Sequence, residues 1–183
     1  MTWTASAVVT AITLTTSLLV GCSSTAPTTT AERDDLVQRA QAERDEWNKV
    51  DPGVEALAKK SHGVAIFPEI SKGGLGFGGA YGRGVVYERG QHIGYADITQ
   101  GTIGPQLGGQ TYSEVIVFED GAAMERFKQN DMSFAANASA IIANSGATAN
   151  ARFVDGVAVF VRPIAGAMAE ASIGGQRITY VPK

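Results

Sequence analysis

Glycine is concentrated in one part of this chain, and that concentration restricts the folds available to it. Thirteen of the 22 glycines fall between residues 73 and 110. The residues between them are largely aromatic and β-branched, a composition typical of strands. Glycine inside a strand usually marks a bulge, a sharp bend or a close approach of two backbones. The segment therefore predicts a strongly bent, Gly-rich, mainly antiparallel sheet, with a curvature that suits a barrel-like shape.

Two helices are predicted before the sheet, which makes the expected fold class α+β. Thr29 and Glu32 have the spacing of a capping box at the start of a helix over 31–49. Asp51 and Pro52 form a second start signal, an N-cap followed by proline at the first helical position. We expect these N-terminal helices to pack on the sheet.

Short apolar runs predict the strands that fill the core. The runs 64–67 and 115–118 are apolar throughout, which indicates strands buried on both faces. Residues 88–91 have the composition of a tight turn between two strands. The segment 168–181 predicts a hairpin that turns at Gly174 and Gly175.

The N-terminal segment has the features of an export signal. Residues 1–21 carry no charged side chain and are rich in apolar residues, as in the apolar region of a secretory signal peptide. The sequence Leu19-Val20-Gly21-Cys22 resembles a bacterial lipobox, in which the cysteine thiol takes a diacylglyceryl group and the signal is cut before it. We therefore predict a signal peptide over 1–21, a lipidated Cys22 and a flexible tether over 22–30. A buried cysteine in a hydrophobic helix is the alternative.

The predicted anchor sets an expected location. Acyl chains on both the thiol and the new amine of Cys22, palmitate among them, give stable attachment to a bilayer. Ser23, rather than Asp, after the cysteine favours the outer membrane in a Gram-negative cell. We expect the remaining domain, residues 31–183, to face the periplasm from that membrane.

Composition removes several function classes. A net charge of −3 gives no electrostatic basis for nucleic-acid binding. One cysteine excludes an internal disulfide framework and a Cys-based zinc site. His62 and His92 lack the spacing of paired metal ligands, so we expect no metal. No cofactor is expected either.

No catalytic motif stands out in the sequence. Residues 74–79 match G-x-G-x-x-G, but Gly82 and Gly84 make the following segment a poor helix, which favours a bent strand over a dinucleotide site. We predict that the protein is not an enzyme. The alternative is an unrecognised enzyme with His92, Asp97 or Glu119 in a cleft.

Basic residues around the first strand are candidates for contact with anionic headgroups. Lys59 and Lys60 end the second predicted helix, and Lys72 and Arg83 lie on the Gly-rich strand. Near an anionic membrane each such residue contributes about 1 kcal/mol. The alternative for Lys59 and Lys60 is a local role, since cations stabilise a helix C-terminus.

Several ordered motifs are similar to the SYLF lipid-binding domain family. They begin with Gly63-Val-Ala-Ile-Phe-Pro68, Lys72-Gly-Gly-Leu-Gly-Phe-Gly-Gly79 and Tyr81-Gly-Arg-Gly84. They continue with Gly104-Pro-Gln-Leu-Gly-Gly-Gln110, Val115-Ile-Val-Phe118, the segment from Phe134, and Ile164 to Gly174. The resemblance covers roughly residues 54–181.

The resemblance implies phospholipid binding without catalysis. Eukaryotic relatives bind phosphoinositides and some regulate actin, whereas bacterial members are often secreted or lipid-anchored envelope proteins. The family's membrane contact is assigned to an N-terminal amphipathic segment with basic residues, which corresponds here to 33–60 and Lys72. The mixed charge of that segment departs from a strongly basic membrane helix, so actin binding is not expected of this chain.

Two main functions follow from these observations. The first is a membrane-anchored lipoprotein whose domain binds phospholipid at the cell envelope. It would contact headgroups or hold an acyl chain between helix and sheet. The second is an envelope structural or protein-interaction module without intrinsic affinity for lipid.

Overall fold

The computed structural model describes residues 26–130, 133–134, 140–142, 146, 148, 151–170 and 173–183. Within these residues, three helices and six strands follow one another. They are α1 (Thr30–Val50), α2 (Pro52–Lys60), β1 (Gly63–Glu88), β2 (Gln91–Phe118), α3 (Gly121–Lys128), β3 (Ser133–Phe134), β4 (Ala140–Ile142), β5 (Val157–Glu170) and β6 (Ile173–Pro182). The α+β class and the order of helices before sheet are confirmed.

Both predicted helix starts are present. The Thr29 hydroxyl accepts a hydrogen bond from the Glu32 backbone N–H, and the Glu32 carboxylate accepts one from the Thr29 backbone N–H, which completes the capping box of α1. The Asp51 carboxylate accepts the Gly53 N–H at the start of α2, where Pro52 occupies the first turn. Local sequence thus determines where these helices begin.

The sheet is built on β2, which pairs with neighbours along both of its edges. Strand β1 runs antiparallel to β2 along one edge, from Gly63 opposite Phe118 to Glu88 opposite Gln91. On the other edge, β5 pairs with the second half of β2 and β6 pairs with the first half. The short β3 pairs antiparallel with β6, and β4 pairs parallel with β5.

The predicted hairpin over 168–181 is wrong. Strands β5 and β6 do not pair with each other in the described residues but follow one another along the same edge of β2. Gly174 and Gly175 lie within β6, opposite Thr102 and Gly101. The two glycines are thus strand residues, because a long neighbouring strand supplies their partners.

The long strands fold back on themselves. A Cβ placed on Gly84 would lie 2.8 Å from the carbonyl oxygen of Ile66, and one on Gly82 would lie 2.8 Å from that of Glu69. Residues 66 and 84 would be roughly 60 Å apart in a straight strand. Strand β1 is therefore bent sharply near its middle, which brings both of its ends to the same end of the molecule.

The bend does not close the sheet into a barrel. Among the described strands, pairing runs from β1 through β2 to β5 and β6, and no pair returns to β1. The barrel-like shape expected from the glycines is therefore not supported. The sheet stays open and folds over on itself instead. At Gly82 and Gly84 the two halves of β1 approach each other closely, but they form no hydrogen-bonded ladder there.

Two hydrophobic clusters hold the folded sheet together. Phe67, Ile116 and Phe118 belong to the first, which α3 covers with Met124 and Phe127. The second lies beneath α1 and α2 and contains the residues Leu36, Ala40, Trp47, Val54, Val64, Ile66, Val115, Val117 and Phe160. Alternate residues of 64–67 and 115–118 enter different clusters, which confirms that these two runs are buried on both faces.

A buried polar network fixes α1 on the sheet. Arg162 of β5 donates hydrogen bonds of 2.6 to 2.8 Å to the Glu43 carboxylate. The Ser113 hydroxyl donates to Glu43 at 2.6 Å and accepts from the Trp47 indole N–H at 3.1 Å. Because these polar groups form their hydrogen bonds within the protein, part of the charged face of α1 can be buried against the sheet. The same hydrogen bonds fix the position of α1 on the sheet.

Candidate functional site

The bend of the sheet carries a cluster of exposed apolar side chains, which we call the apex and define as Leu75, Phe77, Ile103 and Leu107. Their exposed fractions are 76%, 75%, 65% and 65%. Leu75 lies opposite Leu107 in the ladder, and Phe77 lies opposite Ile103. Contiguous apolar exposure of this kind marks an interaction surface, whereas single exposed apolar residues need no explanation.

The backbone around the apex is shaped by glycine. The pairing of β1 with β2 shifts between Leu75 and Phe77, and Gly76 at that shift has a φ of +74°. A left-handed residue at a bulge favours glycine and turns the strand sharply. The bulge therefore presents Leu75 and Phe77 at the end of the molecule opposite to the strand termini.

A buried polar pair supports the apex from beneath. The Thr102 hydroxyl donates to the Gln106 side-chain oxygen at 2.7 Å, and the Gln106 amide donates to the carbonyl oxygens of Thr102 and Gly76 at 3.2 and 3.3 Å. Gln106 is 5% exposed. This amide ties β2 to the bulge of β1, so the four apolar side chains are held on a fixed backbone.

The strand segments that form the bend contain no charged residues. Neither 73–82 of β1, nor 98–113 of β2, nor 163–169 of β5 includes Asp, Glu, Lys or Arg. A segment of 16 residues without charge is unusual on a surface that water covers. This gap in the charge pattern is the sequence signal for the apex, which sequence analysis did not identify as a site.

The four predicted headgroup cations do not form one patch. Lys59 and Lys60 end α2, close to the start of β1, and the Lys59 ammonium lies 3.4 Å from the Glu55 carboxylate. Lys72 lies nine residues after Gly63 on β1, which is roughly 30 Å of extended strand, and it is 7% exposed. The bend thus places Lys72 near the apex and the α2 lysines near the opposite end.

Arg83 lies on β1 between the apex and the turn at 88–91. Its guanidinium donates a hydrogen bond of 2.7 Å to the Tyr81 hydroxyl. That bond raises the pKa of Arg83. Asp97 lies directly opposite Arg83 in the ladder. The fold-back of β1 places the neighbouring Gly82 and Gly84 beside Glu69 and Ile66, so Arg83 lies at a level between Lys72 and the α2 lysines.

A cavity of about 170 Å³ lies where α2 meets the β1–β2 turn. Three cationic residues line it: Arg44, Lys59 and Arg89. Deeper between the helices and the sheet, the space lined by Trp47 and Val54 is about 10 Å³. That is room for one water molecule at most. The space beside Trp47 and Val54 therefore does not accommodate an acyl chain.

A carboxyl group is buried inside the folded sheet. Glu114 is 3% exposed and accepts a hydrogen bond of 2.9 Å from the Gln176 amide of β6. Burial raises the pKa of Glu114 to about 7, because removing water disfavours the charged form, and the Gln176 hydrogen bond opposes this shift only in part.

The three residues named as possible catalytic groups lie apart from the cavities around Arg44. The His92 ring packs against Tyr87 and Tyr95, and burial is the main cause that lowers its pKa. Asp97 is 5% exposed within β2, and Glu119 is exposed after β2 ends. The described residues contain no group of three or more His, Cys, Asp or Glu side chains arranged to hold a metal ion.

Cys22 and the predicted signal peptide over 1–21 lie outside the described residues, as does most of the predicted tether. Within the part of the chain that the structure describes, no helix has the length and apolarity needed to cross a bilayer.

Comparison with known proteins yields one family. Residues 99–181 match the family model described as "Ysc84: Las17-binding protein actin regulator". The match runs from the middle of β2 through β6 and includes Ile103 and Leu107 of the apex. No curated protein matches the chain.

Proposed function

We propose that this chain is a membrane-anchored envelope lipoprotein that binds phospholipid. Residues 99–181 match the Ysc84 (SYLF) family model, in agreement with the resemblance of the motifs within that range. In this proposal Cys22 carries the lipid anchor, and the apex enters the bilayer. The protein acts without catalysis.

The observation that carries the proposal is the apex. Four large apolar side chains, each at least 65% exposed, lie at the tip of a bent sheet whose neighbouring strand segments carry no charge. Charged groups are costly to place in hydrocarbon, so a charge-free tip suits entry into a bilayer. Transfer of exposed apolar area out of water supplies the driving force.

The tether length is compatible with this orientation. Seven residues separate Cys22 from Thr29, and an extended chain of that length reaches about 25 Å. The start of α1 lies beside the sheet, because the Arg33 guanidinium is 5.7 Å from the centre of the Tyr95 ring. Tyr95 pairs with Val85, eight residues and roughly 26 Å of strand from Phe77. The anchor and the apex can therefore reach the same bilayer.

The predicted headgroup cations take different roles in this orientation. Lys59 and Lys60 lie at the end of the molecule opposite the apex, and Lys72 is 7% exposed. Arg83 is the one that lies on the apex side of the β1–β2 turn and retains partial exposure. Because Lys72 is nearer to the apex but buried, we propose Arg83 as the predicted cation that is both on the apex side and exposed enough to contact a headgroup.

Flotation with vesicles tests the proposal. The chain from residue 22 with Cys22→Ser lacks the anchor, so any binding must come from the domain. We expect it to float with phosphatidylcholine vesicles and with vesicles that also contain phosphatidylglycerol. Failure to float with either composition would remove the lipid-binding function.

A protein-interaction module remains the second candidate, because an exposed apolar cluster can also bind a protein. It predicts that the anchor-free chain stays with the soluble fraction in the flotation assay. It further predicts that cross-linking from the apex in intact envelopes captures a protein rather than lipid.

A further inference from the structure

We infer that the cavity lined by Arg44, Lys59 and Arg89 is a binding site for a phosphate-sized oxyanion. It lies at the end of the molecule opposite the apex, between the C-terminus of α2 and the turn that joins β1 to β2. The oxyanion site itself does not depend on lipid binding by the apex, whereas the choice of a soluble ligand over a lipid headgroup rests on the proposed function.

The size of the cavity fits a small anion. Its volume of about 170 Å³ is several times the roughly 10–15 Å³ that one water molecule needs. Ser61 and the glycines Gly63 and Gly90 also line it, together with the apolar residues Ala58, Val64 and Tyr87. A phosphate group with part of its hydration shell can enter without displacing the core.

The charges around the cavity are unbalanced. The Glu55 carboxylate accepts two hydrogen bonds from the Arg44 guanidinium, at 2.6 and 3.2 Å, and lies 3.4 Å from the Lys59 ammonium. Asp45 lines the adjoining cavity together with Arg44, Lys59 and Glu55. Two carboxylates thus lie near three cations counting Arg89, in a chain whose net charge is −3. A bound oxyanion would offset the remaining positive charge, and guanidinium groups are suited to bind phosphate oxygens in pairs.

Arg89 occupies a backbone position that does not favour arginine. Glu88 and Gln91 are paired, so Arg89 and Gly90 form a two-residue hairpin loop with φ values of +48° and +79°. Loops with two positive φ values favour Asn-Gly or Asp-Gly. Unfavourable backbone conformations of this kind concentrate at functional sites. The strained arginine in this loop thus points independently to a bound ligand.

The position of the cavity indicates where the oxyanion comes from. The cavity and the apex lie at opposite ends of strands whose halves span roughly 40 Å. When the apex faces a bilayer, the cavity faces away from it. The structure therefore favours a soluble phosphate ester over a headgroup of the same membrane.

Titration of the full-length protein with inorganic phosphate, followed by NMR of backbone amides, tests the inference. We expect millimolar phosphate to shift the amides of Arg89, Gly90 and Ser61. Arg89→Asn removes the charge and places a favoured residue in the loop, so the variant stays folded. We expect it to bind phosphate about tenfold more weakly.

Arg39→Asn is the matched control, because Arg39 lies on the exposed face of α1 and pairs with Asp35. We expect its phosphate affinity to equal that of the wild type. Three results would overturn the inference. They are an absence of shifts in the wild type, equal affinity of Arg89→Asn, and equal weakening by Arg39→Asn.

Discussion

Replacing the two β1 residues of the apex tests the proposed membrane contact most directly. In Leu75→Ser/Phe77→Ser, half of the apex becomes polar without any added charge. The two side chains are 76% and 75% exposed in the free protein. They therefore contribute little to the core but provide most of their apolar area for contact with lipid.

The expected loss of binding follows from that exposed area. Full burial of a Leu or Phe side chain contributes about 1.5–3 kcal/mol, and three quarters of it remains to be gained. The two substitutions should therefore remove about 3 kcal/mol of membrane affinity. This corresponds to a partition coefficient roughly 100-fold lower.

Vesicle flotation at increasing lipid concentration measures the partition coefficient of the anchor-free chain. Thermal unfolding should show that the fold is retained, because exposed substitutions usually change stability by less than about 0.5 kcal/mol. Val154→Ser is the matched control. Val154 is also apolar and 56% exposed, but it forms a bridge with Val157 at the end of the sheet away from the apex.

The reasoning would be refuted if the folded double variant bound vesicles as tightly as the wild type. Equal weakening by Val154→Ser would refute it as well, because binding would then depend on overall surface apolarity. Loss of fold in the double variant would show that Leu75 and Phe77 support the sheet, contrary to their exposure.

Three further predictions concern stability. Glu114→Gln should flatten the pH dependence of the unfolding free energy. The raised pKa of about 7 gives the wild type up to about 3 kcal/mol of stability below pH 4.5, which is lost as the pH rises to 7. Urea unfolding at pH 5 and pH 8 should therefore show a larger fall in unfolding free energy for the wild type than for the variant, and an equal fall would contradict the burial argument. Gly84→Ala should lower the unfolding free energy by about 2 kcal/mol in chemical unfolding, because the new Cβ would lie 2.8 Å from the Ile66 carbonyl oxygen. Gly101→Ala is the control, because the space around its Cβ is open, and it should leave the unfolding free energy unchanged. Glu43→Ala should cost about 3 kcal/mol by leaving the Arg162 guanidinium, whose side chain is 19% exposed, without its carboxylate partner. An unchanged melting temperature would argue against that network.

Local signals were enough to predict the two N-terminal helices and the central strands. The capping box at Thr29 and the Asp51-Pro52 start depend on neighbours within three residues, so the sequence contains all of the information. The doubly buried runs at 64–67 and 115–118 were also predicted correctly. In a chain of this size, a continuous apolar run of four residues has few structural interpretations other than a strand buried on both faces.

Strand pairing could not be predicted in the same way. Gly174 and Gly175 have the local character of a turn, yet they continue a strand because β2 is long enough to pair with both β5 and β6. Lys72 has the local character of a surface residue, yet it is buried near the bend. In both cases the outcome depends on residues far away in the chain, which local patterns do not report.

The sequence by itself determined that the strands must bend, because glycine permits backbone approaches that a Cβ would prevent. It also contains the motifs that resemble the family and the lipobox-like segment on which the proposed anchor rests. Only the tertiary structure decided where the bend lies and which side chains it turns outward. Leu75, Phe77, Ile103 and Leu107 resemble core residues in the sequence, since apolar residues in strands are usually buried. They are exposed because the sheet folds over at that point and leaves them on its outer face.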